Sequence, residues 1–247
     1  MMKKFTIALS LFGLLFIGFK AKAQDDKPEV KSYFGIFGGI AQPIGSFKST
    51  DYNDNKAGFA KKGVTFSLDG SFHLIGNLSL ATILSYQDHG QLNNSDETIL
   101  SNGYRASYNS YTSTVTASNR YTSMSLLLGP QYSFLYHKFT LDARIFGGFT
   151  KSLNTPEVVV DLTDFENKFS TFTQYSSGSL KFSYGAGLCL RYNITDGFGV
   201  AVRETYLRTL SDGIKIENSS RTTTLGREQT RLPMMETQTT FGIFFNL

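Results

Sequence analysis

Val64-Thr65-Phe66-Ser67-Leu68-Asp69-Gly70-Ser71-Phe72-His73-Leu74 is the stretch on which the fold turns. Val64, Phe66, Leu68, Gly70, Phe72 and Leu74 share one side of a period of two, while Thr65, Ser67, Asp69, Ser71 and His73 share the other. Successive side chains of a strand point to opposite faces, so this segment reads as a strand separating an apolar medium from a polar one.

The same alternation recurs on both sides of it. Leu78, Leu80, Thr82, Leu84 and Tyr86 oppose Ser79, Ala81, Ser85 and Gln87, with Ile83 as the exception. Met124 to Phe134, Phe139 to Phe149 and Leu180 to Tyr192 repeat it, and Tyr33 to Gln42, Phe198 to Leu207 and Thr237 to Leu247 complete the set. That makes about eight strands of roughly 9 to 11 residues, the length that crosses a bilayer when tilted. Short connections at Ile75 to Asn77, Tyr136 to His137 and Asn193 to Gly197 alternate with long polar ones near 43–60, 88–119, 150–178 and 208–235. Alternation of this kind puts all short turns at one end and all long loops at the other. The predicted fold class is all-β: a transmembrane up-and-down antiparallel β-barrel of about eight strands with four long extracellular loops. Its soluble rival is a lipocalin-like barrel, which would turn the apolar faces inward around a ligand. Charged and glycine-rich second faces, and the lack of any Trp, count against that rival.

At the N-terminus Lys3 and Lys4 precede an apolar run from Phe5 to Phe19, which ends at Ala21, Lys22 and Ala23. This is the pattern of a secretory signal peptide spanning 1–23 and cleaved after Ala23, with 24–31 as a short periplasmic segment and 32–247 as the barrel domain. Residues 1–23 carry Lys3, Lys4, Lys20 and Lys22 and no acid, so the formal +4 of the whole chain falls to zero in the mature protein. A nucleic-acid partner, which needs a clustered basic surface, is not expected. Cys189 is the single cysteine, so an intramolecular disulfide cannot form.

The last strand carries a more specific signal. Thr240, Gly242, Phe245 and Leu247 form a polar-x-Gly-x-x-apolar-x-apolar ending that resembles the assembly signal of outer-membrane barrels, with Leu where Phe is commoner. Across nearly all the mature chain the layout resembles the small OmpA-, OmpX- and OmpW-like barrels. Gly35, Gly38 and Gly39, followed by Gln42, Pro43, Ile44, Gly45 and Phe47, are similar to the opening of the PorT-like outer-membrane β-barrel domain. The resemblance implies outer-membrane lipid and the barrel assembly machinery as partners, and location more securely than activity.

The chemistry expected inside such a barrel is a polar network. Asp69, His73, Asp142, Arg144, Lys181, Arg191 and Arg203 all fall on the predicted inner face, where charges must pair. About eight strands leave a lumen just wide enough for side chains to fill, so ion pairing is expected to plug it rather than line a pore. His73, His89 and His137 are dispersed, without metal-ligand spacing or a catalytic arrangement, so neither catalysis nor a cofactor is expected. The long loops are the expected contact surface for a surface or envelope partner, with Asn93, Asn94, Tyr104, Tyr108 and Tyr111 in the second and Arg221, Arg227 and Arg231 in the fourth. Alternatives are a narrow OmpW-like conduit for small solutes or a PorT-like part of a secretion system.

Overall fold

A computed structural model describes residues 29–210, 214–215, 217–218 and 231–247. The expected signal peptide, its cleavage after Ala23, and Arg221 and Arg227 lie outside the described residues, and of Arg231 only the backbone is described.

Eight strands close into a barrel: β1 (Tyr33–Pro43), β2 (Gly63–Ile75), β3 (Leu78–Asp88), β5 (Thr122–Tyr136), β6 (Phe139–Asn154), β9 (Leu180–Asn193), β10 (Phe198–Thr209) and β14 (Met235–Asn246). Neighbours in the chain are neighbours in the barrel, and β1 closes on β14 in antiparallel register, Ile36 opposite Ile243 and Ala41 opposite Gln238. Closure answers a physical demand: in hydrocarbon an unpaired N–H or C=O has no water to turn to, so a membrane sheet cannot keep edges. Short connections are tight, and in the β2–β3 turn Gly76 supplies the left-handed conformation at φ +54°.

Burial is inverted relative to a soluble barrel. Phe66 and Ile145 are 61% and 63% exposed on the outside, while Asp69 and Gln131 are 0% exposed within. A continuous belt of such outward side chains is stable only against lipid, so the apolar faces point outward and the lipocalin-like arrangement is excluded. Glu204 interrupts the belt. No bulge turns it inward, and it accepts a hydrogen bond of 2.5 Å from Thr239 on the adjacent strand.

The long connections hold further elements. The first contains a short helix, α1 (Gly45–Lys48); the second contains α2 (Asn94–Ser107) and β4 (Thr112–Ser118); the third contains β7 (Glu157–Thr163) and β8 (Phe169–Tyr175). The fourth contributes β11 (Ile214–Lys215), β12 (Glu217–Asn218) and β13 (Arg231–Leu232). β12, β8, β7 and β4 form a four-stranded sheet outside the barrel, and β11 pairs β13. These connections are therefore folded, with a helix and a sheet of their own.

Candidate functional site: a sealed lumen beneath a folded cap

Inside the barrel five charges form an alternating chain. Arg203 Nη1 lies 2.5 Å and Arg144 Nη1 2.7 Å from the same Oδ2 of Asp69, and Arg144 Nη2 lies 3.6 Å from Asp142. Arg191 then holds Asp142 side-on, Nε to Oδ2 at 2.7 Å and Nη2 to Oδ1 at 3.2 Å. The order is Arg203, Asp69, Arg144, Asp142, Arg191, and each member comes from a different strand or register row: β10, β2, β6, β6 and β9. Tyr33 joins the middle, donating to Asp69 Oδ1 at 3.1 Å and accepting from Arg144.

The chain has a cation at each end, three guanidinium groups to two carboxylates. Aromatic faces take up the ends: Arg203 lies 4.7 Å from the Phe37 ring centre, and Arg191 lies 4.2 Å from Tyr33 and 5.3 Å from Phe244. A ring quadrupole attracts a cation most strongly where water is absent. Phe37 reaches that place because residue 242 is glycine, whose missing Cβ would lie 2.3 Å from Ile36 O and 2.5 Å from the Phe37 ring. The glycine of the C-terminal motif thus has a packing role as well as a place in the resembled signal.

Five of the seven expected lumen charges are brought together, and two are not. His73 sits at the barrel end, its Nε2 2.9 Å from the Gly76 carbonyl of the adjoining turn. Lys181, opposite Thr150 near the other end of β9, forms no ion pair among the described residues. Both are half-buried and partly reach solvent, so neither requires an ionic partner. Tyr33 is 1% exposed and points inward, because Phe34 and Ile36 set the outward phase of β1.

At the loop end a second buried pair marks the mouth. Just beyond β3, His89 Nδ1 lies 3.0 Å from the Lys61 carbonyl and Nε2 lies 2.5 Å from Glu236 Oε2. Both partners are acceptors, so the arrangement favours the imidazolium, which can donate from both nitrogens. Burial opposes that charge, but the Glu236 hydrogen bond and charge, the Lys61 carbonyl and Asp88 together raise the His89 pKa above its ordinary value. Gln238 Nε2 donates to the other oxygen of Glu236 at 2.6 Å.

Above this pair the four connections share one hydrophobic core. Phe47 and Phe59 come from the first, Leu100, Tyr104 and Tyr121 from the second, Val158, Val160 and Phe172 from the third, and Leu232 and Met234 from the fourth. Tyr104 and Tyr108 are thus structural, and of the three tyrosines expected to make contacts only Tyr111 is well exposed, at 64%. The local sequence carries signals of this order. Asn93 and Asp96 form a reciprocal capping box, Asn93 Oδ1 accepting from Asp96 N at 3.0 Å and Asp96 Oδ2 from Asn93 N at 2.9 Å. Lys61 Nζ reaches the same carboxylate at 2.6 Å, joining first and second connections. Helix α2 also seals the β4 edge, where Glu97 accepts from Ala117 N and Ser101 donates to Ser113 O.

No protein-family model matches the sequence, and no curated protein does. Among solved structures the chain is similar to Neisserial surface protein A, with a TM-score of 0.47 and 10% identity over 90% of this chain and 100% of that one. A major outer membrane protein from Thermus thermophilus gives 0.45 and 11% over 87% and 99%. Ail, the attachment invasion locus protein of Yersinia pestis, gives 0.42 and 11% over 88% and 100%. The fold is that of the small outer-membrane barrels. For this chain the strand register, closure and outward apolar belt carry that statement.

Proposed function

We propose that this protein is a non-enzymatic outer-membrane barrel that serves as a rigid pedestal for a folded extracellular cap, through which it contacts a surface or envelope partner. One observation carries the reading: all four long connections contribute to a single buried core over the loop end of the barrel. Holding that much chain in one arrangement costs conformational entropy, which a barrel needing only closure would not have to meet. The β7–β8 hairpin supports it further. Phe165 is 68% and Phe169 80% exposed at the β7–β8 tip, with Tyr111 edge-on to Phe165 at 5.9 Å. Large rings held in water at a rigid tip are the residue type enriched at protein contacts.

The conduit reading receives less support, since the five-charge chain crosses the lumen and the cap lies over the mouth. Export by the N-terminal signal, cleaved after Ala23, and loops facing the outside belong to the same proposal.

The test uses the Phe165→Ser/Phe169→Ser double variant in intact cells that display the protein at a heat-modifiable folded fraction equal to wild type. Attachment of these cells to other cells and to purified surface polysaccharide is compared with wild type and with a strain lacking the protein. Attachment reduced toward the level of that strain supports a cap-tip contact. Protein-dependent attachment that survives the double variant would remove the tip from the reading, and no protein-dependent attachment would remove the contact role altogether.

A further inference from the structure

The end of the barrel opposite the cap holds an open vestibule of about 800 Å³, between the N-terminal segment and the β5–β6 and β9–β10 turns. Its inner wall includes Arg191 and Thr140, and Lys31, Lys138, Glu29 and Asp196 stand around it.

Arg191 is the terminal member of the charge chain and is held unusually firmly. Asp142 takes its side-on edge through Nε and Nη2, and the Tyr33 and Phe244 rings lie against the guanidinium. A guanidinium has five N–H donors, and two are committed here. The end-on edge, Nη1 with the second N–H of Nη2, has no partner among the described residues. Arg144 and Arg203 have side chains that are 0% exposed, whereas that of Arg191 is 3% exposed and borders the vestibule. The surplus positive charge of the chain therefore lies at the end that borders the vestibule.

We propose that the vestibule binds the C-terminal carboxylate of a peptide chain, received end-on by Arg191. The planar pair of N–H groups matches the two oxygens of a carboxylate in a fork, the geometry in which arginine recognises that group best. Lys138 and Lys31 add attraction for the incoming anion. Glu29 and Asp196 disfavour a doubly charged phosphate but accept N–H groups along a peptide. The volume suits a terminus of a few residues. With the cap outside, this mouth faces the periplasm, so the partner would be a periplasmic peptide or protein tail. The site is at the far end from the cap tip and stands or falls separately from that contact.

The experiment uses the mature protein refolded into lipid nanodiscs, with calorimetric titration and the Nε–Hε resonance of Arg191 as readouts. The probes are an N-acetylated alanine tripeptide with a free C-terminus, the same peptide as its C-terminal amide, and inorganic phosphate. The acid should bind and move the Arg191 resonance, with the amide weaker by about tenfold or more because the charge-assisted fork is lost. Because Arg191 also pairs with Asp142, its removal disturbs the barrel, and the rim variants Lys138→Gln and Glu29→Gln complete the test. Lys138→Gln should weaken acid binding several-fold and Glu29→Gln should strengthen it, with both effects shrinking at high salt. Equal affinity for acid and amide, tighter binding of phosphate than of peptide, an unmoved Arg191 resonance, or no binding up to about 10 mM, where affinity falls below about 3 kcal/mol, would overturn the proposal.

Discussion

Asp69 shows how unequal the inner charges are. It is 0% exposed and its Oδ2 is shared by Arg144 and Arg203, so Asp69→Asn leaves the buried Arg203 without a counter-charge and Arg144 with only Asp142 at 3.6 Å. Burying paired charges adds little net stability, but removing one partner is expensive, so the variant should lose about 3–5 kcal/mol. Lys181, on the same inward phase but outside the network, is the contrast: Lys181→Gln should change stability by less than about 0.5 kcal/mol. Urea unfolding in detergent micelles or lipid measures both, and equal costs would mean that the charge chain does not hold the lumen. Gly242→Ala tests packing at the same scale. The added methyl would overlap Ile36 O and the Phe37 ring, moving that ring from beneath Arg203. A loss of about 1–3 kcal/mol is expected by the same unfolding measurement, as for overpacking elsewhere.

Among elements, the joint between barrel and cap is the one built to respond to pH. His89 follows β3, accepts the Phe47 ring edge-on at 5.3 Å, and links Lys61 of the first connection to Glu236 of β14. The charged groups facing it are Glu236 and Asp88, and Lys61 turns its ammonium away to Asp96. The folded His89 pKa is raised, so the protonated ring stabilises the joint. That contribution is complete below the ordinary imidazole value of about 6.5 and is lost as pH rises through the higher folded value. Hydrogen exchange of α2 and β4 amides should therefore accelerate, beyond the intrinsic rate, as pH rises through the folded His89 value. In His89→Gln, which keeps a donor but cannot titrate, that extra acceleration should disappear. An identical pH profile in wild type and variant would separate cap stability from this residue.

At the scale of the whole molecule, the barrel and cap make two successive obstructions. Purified protein in planar bilayers should give no stable unitary current, because the ion-paired side chains occupy the lumen and the shared core covers the loop end. Large reproducible conductance would return the conduit reading. Closure also predicts a folded form that resists SDS at room temperature and changes mobility after boiling, since a closed ladder offers no edge for unzipping. Recovery in the soluble periplasm without a heat-dependent shift would contradict the membrane barrel.

What the sequence determined by itself was whatever depends on a period of two. Alternation at Val64–Leu74 and its repeats decided which face of each strand meets lipid, and the contrast of short and long connections decided strand order and the two ends. Asp69, Asp142, Arg144, Arg191 and Arg203 were legible as inward charges for the same reason. Which of the inward residues would meet was not legible. Register and barrel shear decide height within the lumen, and they place His73 and Lys181 away from the charge chain while setting Tyr33 at its centre. The cap was least visible. Its capping box at Asn93 and Asp96 is a local signal, but Phe47, Tyr104, Val160 and Met234 lie far apart in the chain and share no period. Only when the closed barrel brings the ends of all eight strands to one rim do these residues become neighbours, and burial of their apolar surface can then offset the entropy of ordering the chain between them.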